Sequence, residues 1–125
     1  MNLDKVIAGF FIILAMTLNF GFFYGDALDI HMHSKYELFA AIFINIVATI
    51  LKLGDKTQMG SVLIATSLVA DLQLIFAATL WTMFGTTDSV SPEIFGIIIS
   101  LSGGALLANI TSVILYIGDT LKSKR

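Results

Sequence analysis

Four long apolar segments alternate with short polar segments along the chain, at residues 6–24, 38–53, 62–84 and 94–117. Each is about 16 to 24 residues long, close to the length of a helix that crosses a hydrocarbon core of roughly 30 Å. The pattern predicts an all-α integral membrane protein, a bundle of four transmembrane helices. Residues 1–125 then form a single transmembrane domain.

Residues that start or stop helices stand beside these segments. Ser91 precedes Pro92, which is the order of a capping residue followed by a proline at the first helical position. Gly54 and Gly118 follow the second and fourth segments, where glycine can take the left-handed conformation that closes a helix. We therefore expect the fourth helix to begin near Pro92 and to end at Gly118.

An internal repeat is the most specific pattern in the chain. Residues 45–55 align with residues 109–119 without a gap, which pairs Asn45 with Asn109 and Gly54 with Gly118. The alignment predicts two parallel helix-hairpin repeats, at about 1–58 and 59–125. Because both repeats begin on the same side, their axis should run along the membrane normal, as in transport proteins with parallel repeats.

Composition excludes a water-soluble domain. The chain is 57% hydrophobic, with a mean hydropathy of +0.91, so its polar residues could not cover a soluble surface. It has no cysteine, and it contains no nucleotide-binding glycine loop, nucleophile with a base, or helical metal motif. We expect no enzymatic activity, no cofactor and no nucleic-acid partner; membrane lipid surrounds the chain.

Charged residues predict the orientation. The basic residues of one side are Lys5, Lys52, Lys56, Lys122, Lys124 and Arg125. The acidic residues of the other side are Asp26, Asp29, Glu37, Asp88 and Glu93, with Lys35 as the exception to the charge separation. Because cytoplasmic segments collect Lys and Arg, both termini are predicted to be cytoplasmic in a bacterial-type inner (plasma) membrane.

Aromatic residues cluster near the predicted outer ends of the helices. They are Phe20, Phe22, Phe23, Tyr24, Tyr36, Trp81, Phe84 and Phe95. Such residues often form a belt at the level of the lipid headgroups. We expect this cluster to form the outer belt.

Asp71 lies near the middle of the third apolar segment. An ionisable group at that depth costs roughly 3 kcal/mol or more, so it is rarely kept without a partner, a cavity or a function. Three interpretations follow: a proton or cation site, a carboxyl kept neutral by burial, or a structural partner of Asn45 or Asn109.

Three amide residues complete the predicted ion- or proton-binding set with Asp71. Asn45 and Asn109 lie in stripes of small residues, a composition that also suits close helix packing. Gln73 is rotated about 200° from Asp71 around the third helix. Two opposed polar faces are difficult to cover within one bundle, and we therefore expect a homo-oligomer or a partner membrane subunit.

The first outer loop supplies a second group of candidates. Its acidic and imidazole side chains are Asp26, Asp29, His31, His33 and Glu37. Histidines titrate near neutrality, so these residues predict a pH-sensitive acidic outer vestibule. His31 and His33 are weak candidates for metal ligands, since imidazole binds zinc and other transition metals.

These observations favour a small oligomeric channel or transporter subunit for a monovalent cation or proton. In this interpretation the acidic loops concentrate cations. Near the midplane, oxygen ligands or proton-relay positions are provided by Asp71, Asn45 and Asn109. The alternative is a non-catalytic accessory or assembly subunit of a larger membrane complex, whose polar stripes serve recognition between helices.

Overall fold

The structure is a computed structural model, which describes residues 3–24, 35–54, 57–85 and 90–123. These residues form four α-helices and no strand: α1 (Leu3–Phe23), α2 (Lys35–Lys52), α3 (Gln58–Phe84) and α4 (Pro92–Ser123). The all-α prediction is confirmed for this part of the chain.

The helix ends follow local side-chain chemistry at two positions and depart from it at one. The Ile94 amide donates to Ser91 Oγ over 3.3 Å, as expected for a cap before Pro92, and the Gly60 amide donates to Thr57 Oγ1 over 3.0 Å at the start of α3. The predicted end at Gly118 is wrong, because α4 continues to Ser123. Glycine permits a helix to end but does not require it, and α4 continues through Gly118.

Each helix packs against two neighbours, so that α1, α2, α3 and α4 form a closed ring. The α3–α4 contact is the most extensive, and α1 and α3 occupy one diagonal of the ring. We name the end where α1 begins and α4 ends the terminal end, and the other the opposite end.

Three of the described helices, α1, α3 and α4, are long and apolar enough to cross a membrane. α2 has 18 residues, and its charged side chains all lie in its terminal turns: Lys35, Glu37 and Lys52. The central part of α2 is apolar. Only the charged residues at its two ends distinguish its composition from that of the three longer helices. The fold is an all-helical bundle with the length and hydropathy of a membrane protein.

The core at the opposite end is aromatic. The Phe22 and Trp81 ring centroids lie 5.9 Å apart, and Trp81 meets Phe95 edge to face at 5.7 Å. All three side chains are buried. The belt prediction is wrong for these three residues, since their rings fill the space between helices, whereas Phe20, Tyr24, Tyr36 and Phe84 are exposed.

Close contacts of glycines fix the relative heights of the helices. On α4, Gly103 lies against the Phe23 ring of α1, and Gly104 lies against the Gln73 amide of α3. Near the terminal end, Gly9 of α1 lies against the Tyr116 ring of α4. These contacts mark where α4 approaches α1 and α3 closely.

Candidate functional site

Asp71 lies at the midpoint of α3 and is only 9% exposed. Its carboxylate faces α2, where Thr49 Oγ1 donates a hydrogen bond to Asp71 Oδ2 over 2.6 Å. The same hydroxyl lies 2.9 Å from the Asn45 carbonyl oxygen. A hydroxyl has one hydrogen to donate, and the charged acceptor makes the stronger bond. Asp71 therefore has a partner on another helix at its own level.

Lys52, the last residue of α2, is buried with 6% exposure. Its ammonium donates to Ser67 Oγ on α3 and to Ser112 Oγ on α4 over 2.6 Å, and its charge interacts with that of Asp71. The sequence grouped Lys52 with the lysines of the cytoplasmic loops. The structure corrects this, because the side chain turns into the bundle instead of towards solvent.

We name the five linked side chains the polar cluster: Thr49, Lys52, Ser67, Asp71 and Ser112. Helical spacing explains why they converge. Thr49 and Lys52 are three residues apart on α2, and Ser67 and Asp71 are four apart on α3, so each pair shares a face. Three helices thus place two opposite charges and three hydroxyls in one buried region.

The predicted asparagines are buried near this cluster but are not bound to Asp71 in the described part of the chain. Asn45 Nδ2 donates to the Ala41 carbonyl of its own helix over 2.7 Å. Asn109 is 4% exposed, and its Nδ2 has no hydrogen-bond partner among the described residues. The partner that the structure gives Asp71 is Thr49, not either asparagine.

Gln73 lies apart from the polar cluster. Its amide lies against Gly104, where a β-carbon would come within 2.6 Å of Gln73 Nε2. Gln73 therefore faces α4 while Asp71 faces α2, and Gln73 Oε1 is buried without a hydrogen-bond partner among the described residues. The homo-oligomer or partner membrane subunit expected from these two polar faces stays a prediction.

Asn19 is a buried polar residue that the sequence analysis missed. It is fully buried on α1, and neither Oδ1 nor Nδ2 has a hydrogen-bond partner among the described residues. The available signal was the helical stripe Gly9, Ile12, Ala15 and Asn19, whose members are all buried. Small residues beside one amide in a membrane helix indicate an inward face.

A pocket of about 220 Å³ at the terminal end reaches the polar cluster. Its lining includes Asp4, Lys5, Lys52, Tyr116 and Asp119. The Tyr116 hydroxyl donates to the Lys5 carbonyl oxygen over 2.6 Å, which ties α4 to the first turn of α1 beside the pocket. Lys52 belongs to both the pocket and the cluster, so it connects the terminal end with the buried charges.

Most of the predicted outer vestibule lies outside the described residues: Asp26, Asp29, His31 and His33. Glu37 is described, and its carboxylate lies against Gly21 of α1. In the ranges that the structure describes, no group of three or more potential metal ligands occurs. The weak metal candidates His31 and His33 stay predictions.

A model of one protein family matches residues 32–120, which include α2, α3 and the whole polar cluster. The chain belongs to DUF6394, a family of unknown function. No curated protein and no solved structure matches the chain. Within this DUF6394 protein, the matched segment leaves out α1 and therefore Asn19.

Proposed function

We propose that this protein is a small membrane channel or transporter subunit in which Asp71 takes up and releases a proton. The observation that carries the proposal is a carboxylate at the centre of an apolar helix with Thr49 bonded to it and the Lys52 charge close by. An ionisable residue at that depth in a membrane helix is a candidate functional residue for that reason alone.

The neighbours of Asp71 favour a proton over a metal cation. Thr49 donates a hydrogen bond to the carboxylate. The Lys52 ammonium is positively charged and can donate hydrogen bonds but not accept them. The positive charge of Lys52 repels a metal cation from the carboxylate. Burial favours the neutral form of a carboxyl, whereas a donated hydrogen bond and a nearby positive charge favour its charged form, and these opposing effects suit Asp71 to exchange a proton.

Access is proposed from the terminal end. The pocket that contains Asp4, Asp119 and Lys52 brings solvent-accessible charged groups to the edge of the polar cluster. In this proposal a proton enters through the pocket and passes Lys52, which donates to Ser67 and Ser112 and whose charge interacts with that of Asp71. The proposal includes an inner membrane location, cytoplasmic termini, two helix-hairpin repeats and assembly into a homo-oligomer.

Reconstituted liposomes with an internal pH-sensitive dye test this function. Under an imposed membrane potential the parent chain should move protons, and Asp71→Asn should abolish that flux. Thr79→Val is the control on the same helix, because the exposed Thr79 hydroxyl donates to the Ile75 carbonyl of α3, and it should conduct like the parent.

Equal proton flux in Asp71→Asn and the parent would overturn the proposal. Flux of Na⁺ or K⁺ without protons would replace the proton with a monovalent cation. If no ion moves and the chain co-purifies with a membrane partner in fixed ratio, the accessory-subunit alternative replaces transport.

A further inference from the structure

The terminal-end pocket, which residues of all four helices line, carries charges of both signs. Its charged residues are Asp4, Lys5, Lys52 and Asp119. The first two are exposed, whereas Lys52 is buried and Asp119 is partly buried. Salt screens exposed charges strongly and buried charges much less. Lys52 and Asp119 therefore dominate the electrostatic field inside the pocket.

The deep wall of the pocket reaches the level of the Lys52 ammonium. Ile12 lines the pocket and packs in one buried cluster with Ala48 and Val113. Val113 directly follows Ser112, whose hydroxyl accepts a hydrogen bond from Lys52. The pocket thus extends from the charged residues at its mouth to the polar cluster.

The Lys52 ammonium has donor capacity left for a ligand. It has three hydrogens, and it donates to the hydroxyls of Ser67 and Ser112. Both hydroxyls are neutral, and because they accept from the ammonium they keep their own hydrogens to donate. A charged donor makes its strongest hydrogen bonds to a charged acceptor. The deep wall is therefore suited to the carboxylate of a ligand.

Asp119 provides the opposite charge on the α4 wall of the same pocket. Its charge interacts with the side chain of Tyr116, which also lines the pocket. The Tyr116 hydroxyl already donates to the Lys5 carbonyl, so it does not supply a donor to Asp119. In the described ranges the Asp119 carboxylate has no hydrogen-bond or ion-pair partner. An ammonium group of a ligand would compensate this charge.

We propose that the terminal-end pocket binds a small zwitterion, such as a free amino acid, with its carboxylate at Lys52 and its ammonium at Asp119. A simple anion would be repelled by Asp119, and a simple cation would be repelled by Lys52. Pockets for drug-sized ligands have volumes of about 300–1,000 Å³, so about 220 Å³ suits a smaller molecule. The binding site stands on the pocket alone.

A coupling between this ligand and the proton rests on the proposed function. The charge of Lys52 interacts with that of Asp71. A ligand carboxylate at Lys52 takes over this compensation, so it favours the protonated form of Asp71. Coupling between two binding sites is reciprocal, so protonation of Asp71 favours the ligand in turn. The protein would then move a proton and the zwitterion together.

Saturation-transfer NMR of the full chain in deuterated detergent tests the site with free glycine, acetate and methylamine. Acetate lacks the ammonium and methylamine lacks the carboxylate, so both should bind at least about tenfold more weakly than free glycine. Lys52→Met and Asp119→Asn should each abolish the glycine signal. Lys122→Met, at an exposed position near the end of α4, is the control and should keep it.

No saturable binding of free glycine to the folded parent would overturn the site. Acetate that binds as tightly as free glycine would show an anion site instead, and equally tight methylamine would show a cation site. Asp119→Asn separates the pocket charge from the stability of the cluster, because Asp119 lies outside the polar cluster. Unchanged glycine binding in that variant would overturn the role of Asp119.

The liposome assay then separates the site from the proposed function. A gradient of free glycine should drive protons across the membrane with the parent chain and not with Asp71→Asn. Glycine binding in a parent that moves no protons would leave the site standing and refute the proposed function. Proton flux in a parent that binds no glycine would leave the function standing and overturn the site. Proton flux that a glycine gradient does not change would overturn the coupling.

Discussion

Thr49 and Asp71 join α2 to α3 through a 2.6 Å hydrogen bond between the threonine hydroxyl and the aspartate carboxylate. The bond meets α3 at its midpoint, in a chain where three helices have the length and hydropathy of membrane spans. A charged acceptor strengthens such a bond, and surroundings of low dielectric strengthen it further. This contact holds the carboxylate in the bundle, and the other oxygen, Oδ1, is buried without a hydrogen-bond partner among the described residues.

Removing the Thr49 hydroxyl should destabilise the bundle. Thr49→Val leaves Asp71 Oδ2 without its donor, and we expect the free energy of unfolding to fall by about 1–3 kcal/mol. Unfolding in mixed detergent micelles with increasing SDS measures the change. The matched control is Thr79→Val on α3, whose exposed hydroxyl donates only to the Ile75 carbonyl of its own helix. The control should shift stability by no more than about 0.5 kcal/mol, and an equal loss in both variants would contradict the role of Thr49.

The charges of Lys52 and Asp71 should be coupled. Lys52→Met removes the donor to Ser67 and Ser112 and the positive charge that interacts with Asp71, and the expected loss of stability is about 1–3 kcal/mol. Combined with Asp71→Asn, the loss should be smaller than the sum of the single losses, with an interaction energy of about 0.5–3 kcal/mol. Lys122→Met, at an exposed position near the end of α4, controls for the removal of a lysine. Additive single effects would show that the two charges are independent.

Two glycines of α4 should respond oppositely to alanine. At Gly103 a β-carbon would lie 2.8 Å from the Phe23 ring, and overpacking of this kind costs about 1–3 kcal/mol. At Gly96 no atom lies within 4 Å of the added carbon, so alanine should stabilise the helix by up to about 1 kcal/mol. The same SDS titration compares the two variants. Equal stability of the two would show that α1 and α4 do not approach closely at Gly103.

Single cysteines should report the predicted orientation, since the chain contains none. Gly54→Cys and Gly118→Cys introduce exposed thiols near the terminal end, and Tyr36→Cys introduces one near the opposite end. A membrane-impermeant maleimide should label Tyr36→Cys in intact spheroplasts and the two glycine variants only in inverted vesicles. The reverse pattern would place the termini outside, and labelling of all three from one side would refute a hairpin that crosses the membrane.

Several features of the fold could be predicted from the sequence. Apolar segments of sufficient length predict helices whatever their neighbours, because lipid leaves the backbone no other hydrogen-bond acceptors. The start of α4 follows from Ser91 and Pro92, whose effects are local. The choice of Asp71 as a candidate site also follows from the sequence alone. The free-energy cost of burying an ionisable group depends on its depth along one helix.

The partners in the site depended on the tertiary structure. Helical spacing places Lys52 and Asn45 on one stripe, but it does not show that Lys52 reaches Ser67 and Ser112 on two other helices. It also did not show that α4 covers Gln73. Contacts between helices depend on their relative rotation and height, and close approaches at glycines set both.

The sequence by itself determined that the chain forms apolar helices, where α4 begins, and which carboxylate is buried at the centre of α3. Only the tertiary structure decided that Thr49 binds this carboxylate, that Lys52 turns inward, and that Asn19 is buried. The physical reason is that the burial of a residue depends on one helix and its solvent. The pairing of two side chains depends on the positions of several helices at once.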